Sequence, residues 1–462
     1  MLNRKINEYL IEWKSDSNKL PLVIEGARQV GKTTSIRAFA QKNYKTVYEL
    51  NFFTHPEQMS IFSGSLESDE ILFRLSLTFP EKEYVAGSTL IFLDEIQDCP
   101  NARTALKFLA RDKRFDVIAS GSLLGINYKS VPSFPVGYTR TIKMYPLDFE
   151  EFLWAMKIRT EIIESLHKCF INRTAVDPYI HESMLRLFSL YIVIGGMPAA
   201  VNQFVNERNY AKVRIIQKNI LNDYKKDVIK YAEESEKVKI IRCLESVPAQ
   251  LAKDYKKFQY SVVEKGSGSS KYGGSLLWLK DSDIVSFCNN LSLLESPLSA
   301  YSIEKEFKVY MNDNGLLVSM YENDTAKRLM DGELGLFKGA FYENVIATSL
   351  LALGHRLFYF SPSDTLEIDF IINYKGAPCL LEVKSGENTK SKSLNAVLNN
   401  PKYKVNQAIR LSRKNVGEEG KILSLPLYMI MFLKDETDNS WESNLPDPEK
   451  MFERLKKKIE QE

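Results

Sequence analysis

The chain has 462 residues, 44% hydrophobic and 26% charged, an ordinary globular composition on a length that calls for about three or four domains. Its formal charge of +3 is nearly neutral, which excludes a chain-wide basic field for nucleic acid and leaves only local basic surface. Five scattered cysteines (Cys99, Cys169, Cys243, Cys288, Cys379) argue against a zinc site or disulfide framework. With no apolar signal core in MLNRKINEYLIEW and no run of membrane-span length, a soluble cytoplasmic protein without membrane contact is expected.

In chain order, residues 3–14 read as a helix with Ile6, Tyr9, Leu10 and Trp13 on one side, placed to pack beside the strand that follows. That strand, Leu20 to Ile24, is short, apolar and β-prone. It runs into Gly26-Ala27-Arg28-Gln29-Val30-Gly31-Lys32-Thr33-Thr34, which fits the phosphate-binding pattern G-x-x-x-x-G-K-[ST], and a helix follows with Ile36, Phe39 and Ala40 on one face. Gly26 and Gly31 let the backbone bend so that its N–H groups and the helix N-terminus surround a phosphate. Lys32 is expected on the β- and γ-phosphates of ATP, and the Thr33 hydroxyl on Mg²⁺. Lys45 to Phe52 is a second strand.

Ser88 to Glu95 is a buried strand that ends in two carboxylates. Asp94 is expected to hold Mg²⁺ and Glu95 to polarise the attacking water. Phe115 to Ser120 is a further strand, after which Ser120 or Ser122 can sense the γ-phosphate or simply make a turn; Thr139 to Tyr145 adds another. A strand between the phosphate-loop strand and the acidic strand matches ATPases with a catalytic glutamate rather than simple kinases. A doubly wound parallel sheet with its ligand at the strand C-termini is the expected fold.

GARQVGKTT, TLIFLDEIQ, IASGS, SFPVGY and YPLDFEEFL together resemble the AAA-family ATP-binding proteins of bacteria and archaea, whose second half carries a separate domain of largely uncharacterised function. The resemblance extends through YIVIGGMPAAV, ILNDYKKDVIKY, SVPAQLAK, FKVYMNDNGLL and FYENVIATSLL. It implies an AAA domain over 1–155, a helical lid over 156–236, a winged-helix-like middle over 237–328, a C-terminal domain over 329–435 and an exposed tail over 436–462. Family members often carry arginine after the glycine of the PVG segment. Here Tyr138 follows Gly137 and the nearest arginine is Arg140, which puts an arginine finger in doubt.

In the lid, Gly195-Gly196-Met197-Pro198 interrupts a helical pattern. It is a tight interhelical turn or, by similarity to signal-transducing ATPases, a contact of Pro198 with adenine, for which a rigid apolar ring suits. Farther on, a helix over 237–252, a Gly/Ser-rich segment, a helix at Leu276 to Leu279 and strands at 284–288 and 305–311 suggest a winged helix. Lys253, Lys256, Lys257, Lys265, Lys271 and Lys280 there outnumber Asp254 and Glu264, a footprint that suits DNA phosphates, although such folds also serve as plain connectors.

Leu366 to Asn373 and Pro378 to Lys384 read as a hairpin about Lys375-Gly376, in which opposed residue numbers total 751. Asp369 then opposes Glu382, and Glu367 opposes Lys384. Alternation places Glu367, Asp369, Glu382 and Lys384 on one face, with Ile368, Phe370, Ile372, Leu381 and Val383 on the core face. Opposed carboxylates repel unless a cation such as Mg²⁺ lies between them. Asp…Glu-x-Lys resembles the restriction-endonuclease-like PD-(D/E)XK core, with Glu343 on the preceding helix completing the site, Lys384 polarising phosphate or water, and Gln407 as an auxiliary group. A solvated face with an ordinary Glu367–Lys384 ion pair is the alternative.

Two functions follow from these readings. One is an ATPase whose nucleotide state controls a Mg²⁺-dependent nuclease acting on DNA. The other is an ATP-dependent switch that binds a protein partner and carries an inert nuclease-like domain. A small-molecule kinase is disfavoured by Glu95 beside Asp94.

Overall fold

A computed structural model describes residues 2–122, 137–253, 256–334, 338–386 and 391–434. The expected tail over 436–462, Asp254 and most of SFPVGY lie outside the described residues. Strands β1 (Leu22–Glu25), β2 (Thr46–Asn51), β3 (Thr89–Asp94), β4 (Asp116–Gly121) and β5 (Arg140–Lys143) form one sheet in the order β2-β3-β4-β1-β5. All four pairings are parallel, and β4 lies between the phosphate-loop strand and the acidic strand.

Parallel strands need both faces covered, and the residues alternate accordingly. Leu22, Ile24, Leu90, Phe92 and Ile118 enter one core, while Val23, Ile91, Leu93, Val117 and Ala119 enter the other. Helices α1 (Ile6–Ser15) and α2 (Lys32–Asn43) cover the first face through Leu10, Trp13, Ile36 and Phe39. Helices α3 (Ser68–Thr78) and α4 (Pro100–Leu109) cover the second through Ile71, Leu75, Ala102 and Leu106.

Five helices follow: α5 (Phe149–Ala155), α6 (Thr160–Asn172), α7 (Pro178–Ile194), α8 (Pro198–Glu207) and α9 (Tyr210–Tyr231). The start of α5 is fixed by a capping box, in which Asp148 accepts from the Glu151 N–H and Glu151 accepts from the Asp148 N–H. Proline at the first position of α7 and of α8 suits a helix start, where no intrahelical N–H bond is lost.

Helices α10 (Glu234–Leu251), α11 (Tyr260–Val263) and α12 (Ser269–Asp281) lead to β6 (Val285–Leu291) and β7 (Ser302–Met311). Next come α13 (Asn314–Ser319), α14 (Thr325–Met330), α15 (Lys338–Ala352), β8 (Phe358–Ser363), β9 (Leu366–Tyr374), β10 (Ala377–Val383), α16 (Lys392–Leu398), β11 (Ala408–Ser412), β12 (Gly417–Glu419) and β13 (Ile422–Pro426). The eight later strands make one mixed sheet in the order β12-β13-β11-β10-β9-β8-β6-β7. The ribbon expected of a winged helix thus continues the C-terminal sheet, through the parallel pairing of β6 with β8 at Asn289 and Phe358.

The β9–β10 hairpin has the expected register, from Ala377 opposite Tyr374 to Leu381 opposite Phe370. The core face departs from expectation at one residue. Pairing with β8 sets Ile371 against Phe358 and Ile368 against Phe360, so Asp369 and Phe370 together face Tyr359 alone. This bulge breaks the alternation. Ile368 joins Ile371 and Leu380 in one cluster, while Phe370, Ile372, Leu381 and Val383 lie in another.

Candidate nucleotide and carboxylate sites

The phosphate loop leaves β1 through Gly26, whose φ of +144° and close approach to β5 admit no side chain. A Cβ there would stand 2.2 Å from the Met144 carbonyl oxygen. Gly31, with φ of +98°, begins α2 and has the Pro198 ring beside it, 3.4 Å from where a Cβ would lie. Pro198 at the head of α8 therefore flanks the loop.

Lys32 is buried, and its ammonium donates to the carbonyls of Gly26 and Ala27, 2.8 Å each. Burial lowers its pKa to about 8, although the carboxylates of Glu95, Asp94 and Asp283 favour the charged form. Thr33 Oγ1 is 3.1 Å from both carboxylate oxygens of Asp94. Asn51, at the end of β2, donates to Asp94 Oδ2 at 2.8 Å, and the buried Ser120 hydroxyl donates to Oδ1. Burial pushes the Asp94 carboxyl up, and the bonds from Ser120, Thr33 and Asn51 work against that rise. A hydroxyl and a carboxylate so placed are the oxygen donors Mg²⁺ takes, so the residues fit the ion.

Glu95 sits one residue beyond β3 in the left-handed region, φ +53°. Its Oε2 accepts from Gln97 Nε2 at 2.6 Å and from Ser122 Oγ at 3.2 Å. The two serine candidates therefore divide, Ser120 holding Asp94 and Ser122 holding Glu95.

Several contacts had no signal in the sequence. Arg28 makes an ion pair with Asp227 of α9, Gln29 donates to Asp223 at 3.0 Å, and the Tyr224 hydroxyl donates to the Arg28 carbonyl at 3.2 Å. Arg4 reaches the loop from the chain's start, donating to the Val30 and Tyr145 carbonyls at 2.8 and 2.7 Å and to Glu151 Oε1 at 3.0 Å. Val30 meanwhile is fully buried, and Ala27 nearly so, which anchors the loop in the core.

In the C-terminal part of the chain Glu343, Glu367 and Asp369 gather around the buried Lys308, with more lysines than expected. Glu343 on α15 pairs with Lys256 and accepts from the Tyr310 hydroxyl at 3.3 Å. Asp369 accepts the Val383 N–H at 2.8 Å, a bond made where the ladder ends. Lys384 pairs with Glu382, and Glu367 pairs at 2.5 Å with Lys308, which is wholly buried. The alternative Glu367–Lys384 pair is not the one made. Glu382 Oε2 is buried and has no hydrogen-bond partner. Burial and the neighbouring Glu343 charge push the Asp369 carboxyl to about 7, against the pull of Lys308 and Lys256. Burial also opposes ionisation of Glu343, yet Lys256 and Lys308 hold it below the usual range.

Among the described residues, no group of three or more His, Cys, Asp or Glu is arranged to hold a metal. Gln407 lies at the other end of the hairpin, where its amide donates to the Tyr374 and Ala377 carbonyls. The lysines read as a DNA footprint are largely engaged within the fold. Lys256 turns inward to Glu343, Lys257 pairs with Glu306, Lys271 pairs with Glu264 and Lys253 donates to Gln259. No helix among the described residues is long and apolar enough to cross a membrane.

A parallel sheet of this order, with a phosphate loop after β1 and paired acids at the end of β3, defines a P-loop ATPase domain. More particularly, residues 18–153 match the AAA domain family, and the N-terminal part of the chain is an AAA-type ATPase domain. Residues 185–327 and 338–428 match two domains of unknown function, DUF8612 and DUF4143. No curated protein matches the chain. Similar solved structures include a Walker-type ATPase of Pyrococcus abyssi, 12% identical over 69% of this chain and 96% of that one, TM-score 0.41. Others are the Aeropyrum pernix Orc1 protein in complex with DNA, 12% identical over 71% and 91%, TM-score 0.28, and Cdc6p from Pyrobaculum aerophilum, 13% identical over 71% and 93%, TM-score 0.25.

Proposed function

We propose that this chain is an ATP-operated switch, in which the AAA domain binds and hydrolyses ATP and the lid passes the change to the C-terminal half. One observation carries the reading. Thr33, Asn51 and Ser120 converge on Asp94, while Gln97 and Ser122 fix Glu95 beside it. On binding, Lys32 exchanges the Gly26 and Ala27 carbonyls for phosphate oxygens, and the loop N–H groups with the α2 N-terminus hold the remaining charge. Mg²⁺ between Thr33 and Asp94 would neutralise charge on the terminal phosphates. Pro198 offers its ring to adenine, Glu95 orients the attacking water, and Ser122 is freed to sense the γ-phosphate. Glu95→Gln should slow ATP turnover by about a hundredfold or more while leaving the ATP Kd within about twofold. Normal turnover in that variant removes Glu95 from its role.

For the C-terminal domain, a nuclease reading has Asp369 and Glu382 hold Mg²⁺, with Lys384 and Glu343 completing a site that acts on DNA. The charges favour a catalytically silent nuclease-like domain, the form it takes in the alternative reading of a switch that binds a protein partner. Lys256, Lys308 and Lys384 already balance Glu343, Glu367 and Glu382, which leaves these residues a poor fit to a ready cation site. Incubation of the full chain with plasmid and linear DNA, with Mg²⁺ or Mn²⁺ and with or without ATP, separates the two. The silent reading expects intact DNA in every arm. Cleavage that disappears in Asp369→Ala and in Glu382→Ala would establish the nuclease.

A further inference from the structure

We propose that Lys143 is an in-chain ligand for the terminal phosphate, held in reserve by Asp283, so that a triphosphate breaks a salt bridge between the ATPase core and the C-terminal half. The inference rests on the ATP-binding reading and adds to it, beside Ser122, a cation that distinguishes ATP from ADP. The segment before β5 supplies no arginine directly after Gly137, yet β5 ends in a cation at Lys143. Lys143 is in register with Glu25, the residue that opens the phosphate loop, so its backbone lies roughly 5 Å from that strand end.

Lys143 pairs with Asp283, which sits in the turn between α12 and β6. Asp283 is held there firmly. Its backbone is in the left-handed region, φ +59°, and its carbonyl accepts from the Asn312 amide at 2.8 Å. The two partners are unequally placed, the Lys143 side chain 41% exposed and the Asp283 side chain 16%. The lysine can therefore swing, whereas the carboxylate cannot leave without its turn.

Both residues line an open cleft of about 1200 Å³ with Gly26, Gly121 and Ser122, at the C-terminal edge of the parallel sheet beside the start of the phosphate loop. Glu25 also faces Lys143, and Asp281 lies in the same cleft. Asp283 is near enough to favour the charged form of Lys32. A triphosphate arriving at Lys32 thus meets one lysine already paired and one carboxylate that repels it. Transfer of Lys143 to the terminal phosphate answers both. It leaves Asp283 without its cation in a partly buried place, an unfavourable state that is relieved when the α12–β6 turn moves away. ADP, lacking the terminal phosphate, leaves the pair intact.

The test is titration calorimetry of the full chain with a non-hydrolysable ATP analogue and with ADP, together with amide hydrogen exchange over 281–291. Lys143→Ala should weaken the analogue by about tenfold, the size of one charge-assisted bond, and leave ADP within about twofold. Lys143→Arg should recover most of that loss, and Asp283→Asn should tighten the analogue relative to ADP. In the wild type, the analogue but not ADP should speed exchange in 281–291, and Lys143→Ala should abolish the difference. An unchanged preference for the analogue over ADP in Lys143→Ala, with wild-type binding intact, overturns this inference alone. Failure of the wild type to bind either nucleotide overturns it together with the ATP-binding reading.

Discussion

At the scale of the residue, the proposed role of Lys32 in binding a triphosphate has a consequence for pH. Its ammonium is confined between two carbonyls and buried, which lowers its pKa to about 8. A triphosphate beside it favours the charged form, so the pKa rises on binding. The sign follows by linkage. Below pH 8 the lysine already carries its proton and binding takes up none, whereas above pH 8 the free protein must first acquire one. ATP affinity should therefore fall as pH rises through 8, by up to about tenfold per unit. Calorimetry at pH 9 in two buffers of different ionisation heat should report uptake approaching one proton, and at pH 7 close to none. Equal uptake at both would mean that the free lysine is fully charged throughout.

At the scale of the element, what could be read from the sequence was what local chemistry dictates. The phosphate loop, the acidic strand and the β9–β10 register were legible because a glycine spacing, an apolar run ending in acids and a two-residue turn each act over a few residues. The bulge at Asp369 was not, since it depends on how β8 pairs with β9. Helix α1 was visible from its apolar side, but the role of Arg4 at its start was not, because its partners lie as far off as Glu151. That ion pair is buried on both sides, 7% and 6% exposed. Removing one partner of such a pair costs about 3–5 kcal/mol, because the other is left charged and unpaired. Arg4→Ala should lose that much stability in urea denaturation, and Arg4→Lys, which keeps a cation beside Glu151, should regain part of it. A loss below about 1 kcal/mol would show that Arg4 does not tether α1 to the loop.

At the scale of the molecule, the segments that looked like separate signatures prove to be one junction. YIVIGGMP, MNDNGLL and FYENV meet where α7 and the start of α8 join α13 and α15. Asp313 accepts the Gly196 N–H at 2.6 Å and caps α13 through the Leu316 N–H at 2.8 Å. Asn314 donates to the Ile192 carbonyl at 2.9 Å, and Gln217 donates to those of Val193 and Ile194. Sequence alone hid this junction because its bonds run between segments 23 to 122 residues apart, where no periodicity reports a partner. The inward course of Lys256 and Lys308 was hidden for the same reason.

Asn344 is the keystone of that junction. It is fully buried, accepts the Met311 N–H at 2.9 Å, and donates to the Met311 carbonyl at 3.1 Å and to Asn314 Oδ1 at 3.0 Å. Leucine keeps the branched outline at a larger volume and makes none of these bonds, so Asn344→Leu leaves the Met311 backbone and Asn314 unsatisfied, at about 1–3 kcal/mol for each group. Because Asn314 is the link to α7, the loss should fall on the coupling between the halves rather than on the AAA core. Scanning calorimetry should then replace a single unfolding transition with two, the C-terminal half melting first, while the Kd for an ATP analogue stays within about twofold of the wild type. A variant that melts in one transition, less than about 1 kcal/mol below the wild type, would show that the two halves are joined elsewhere.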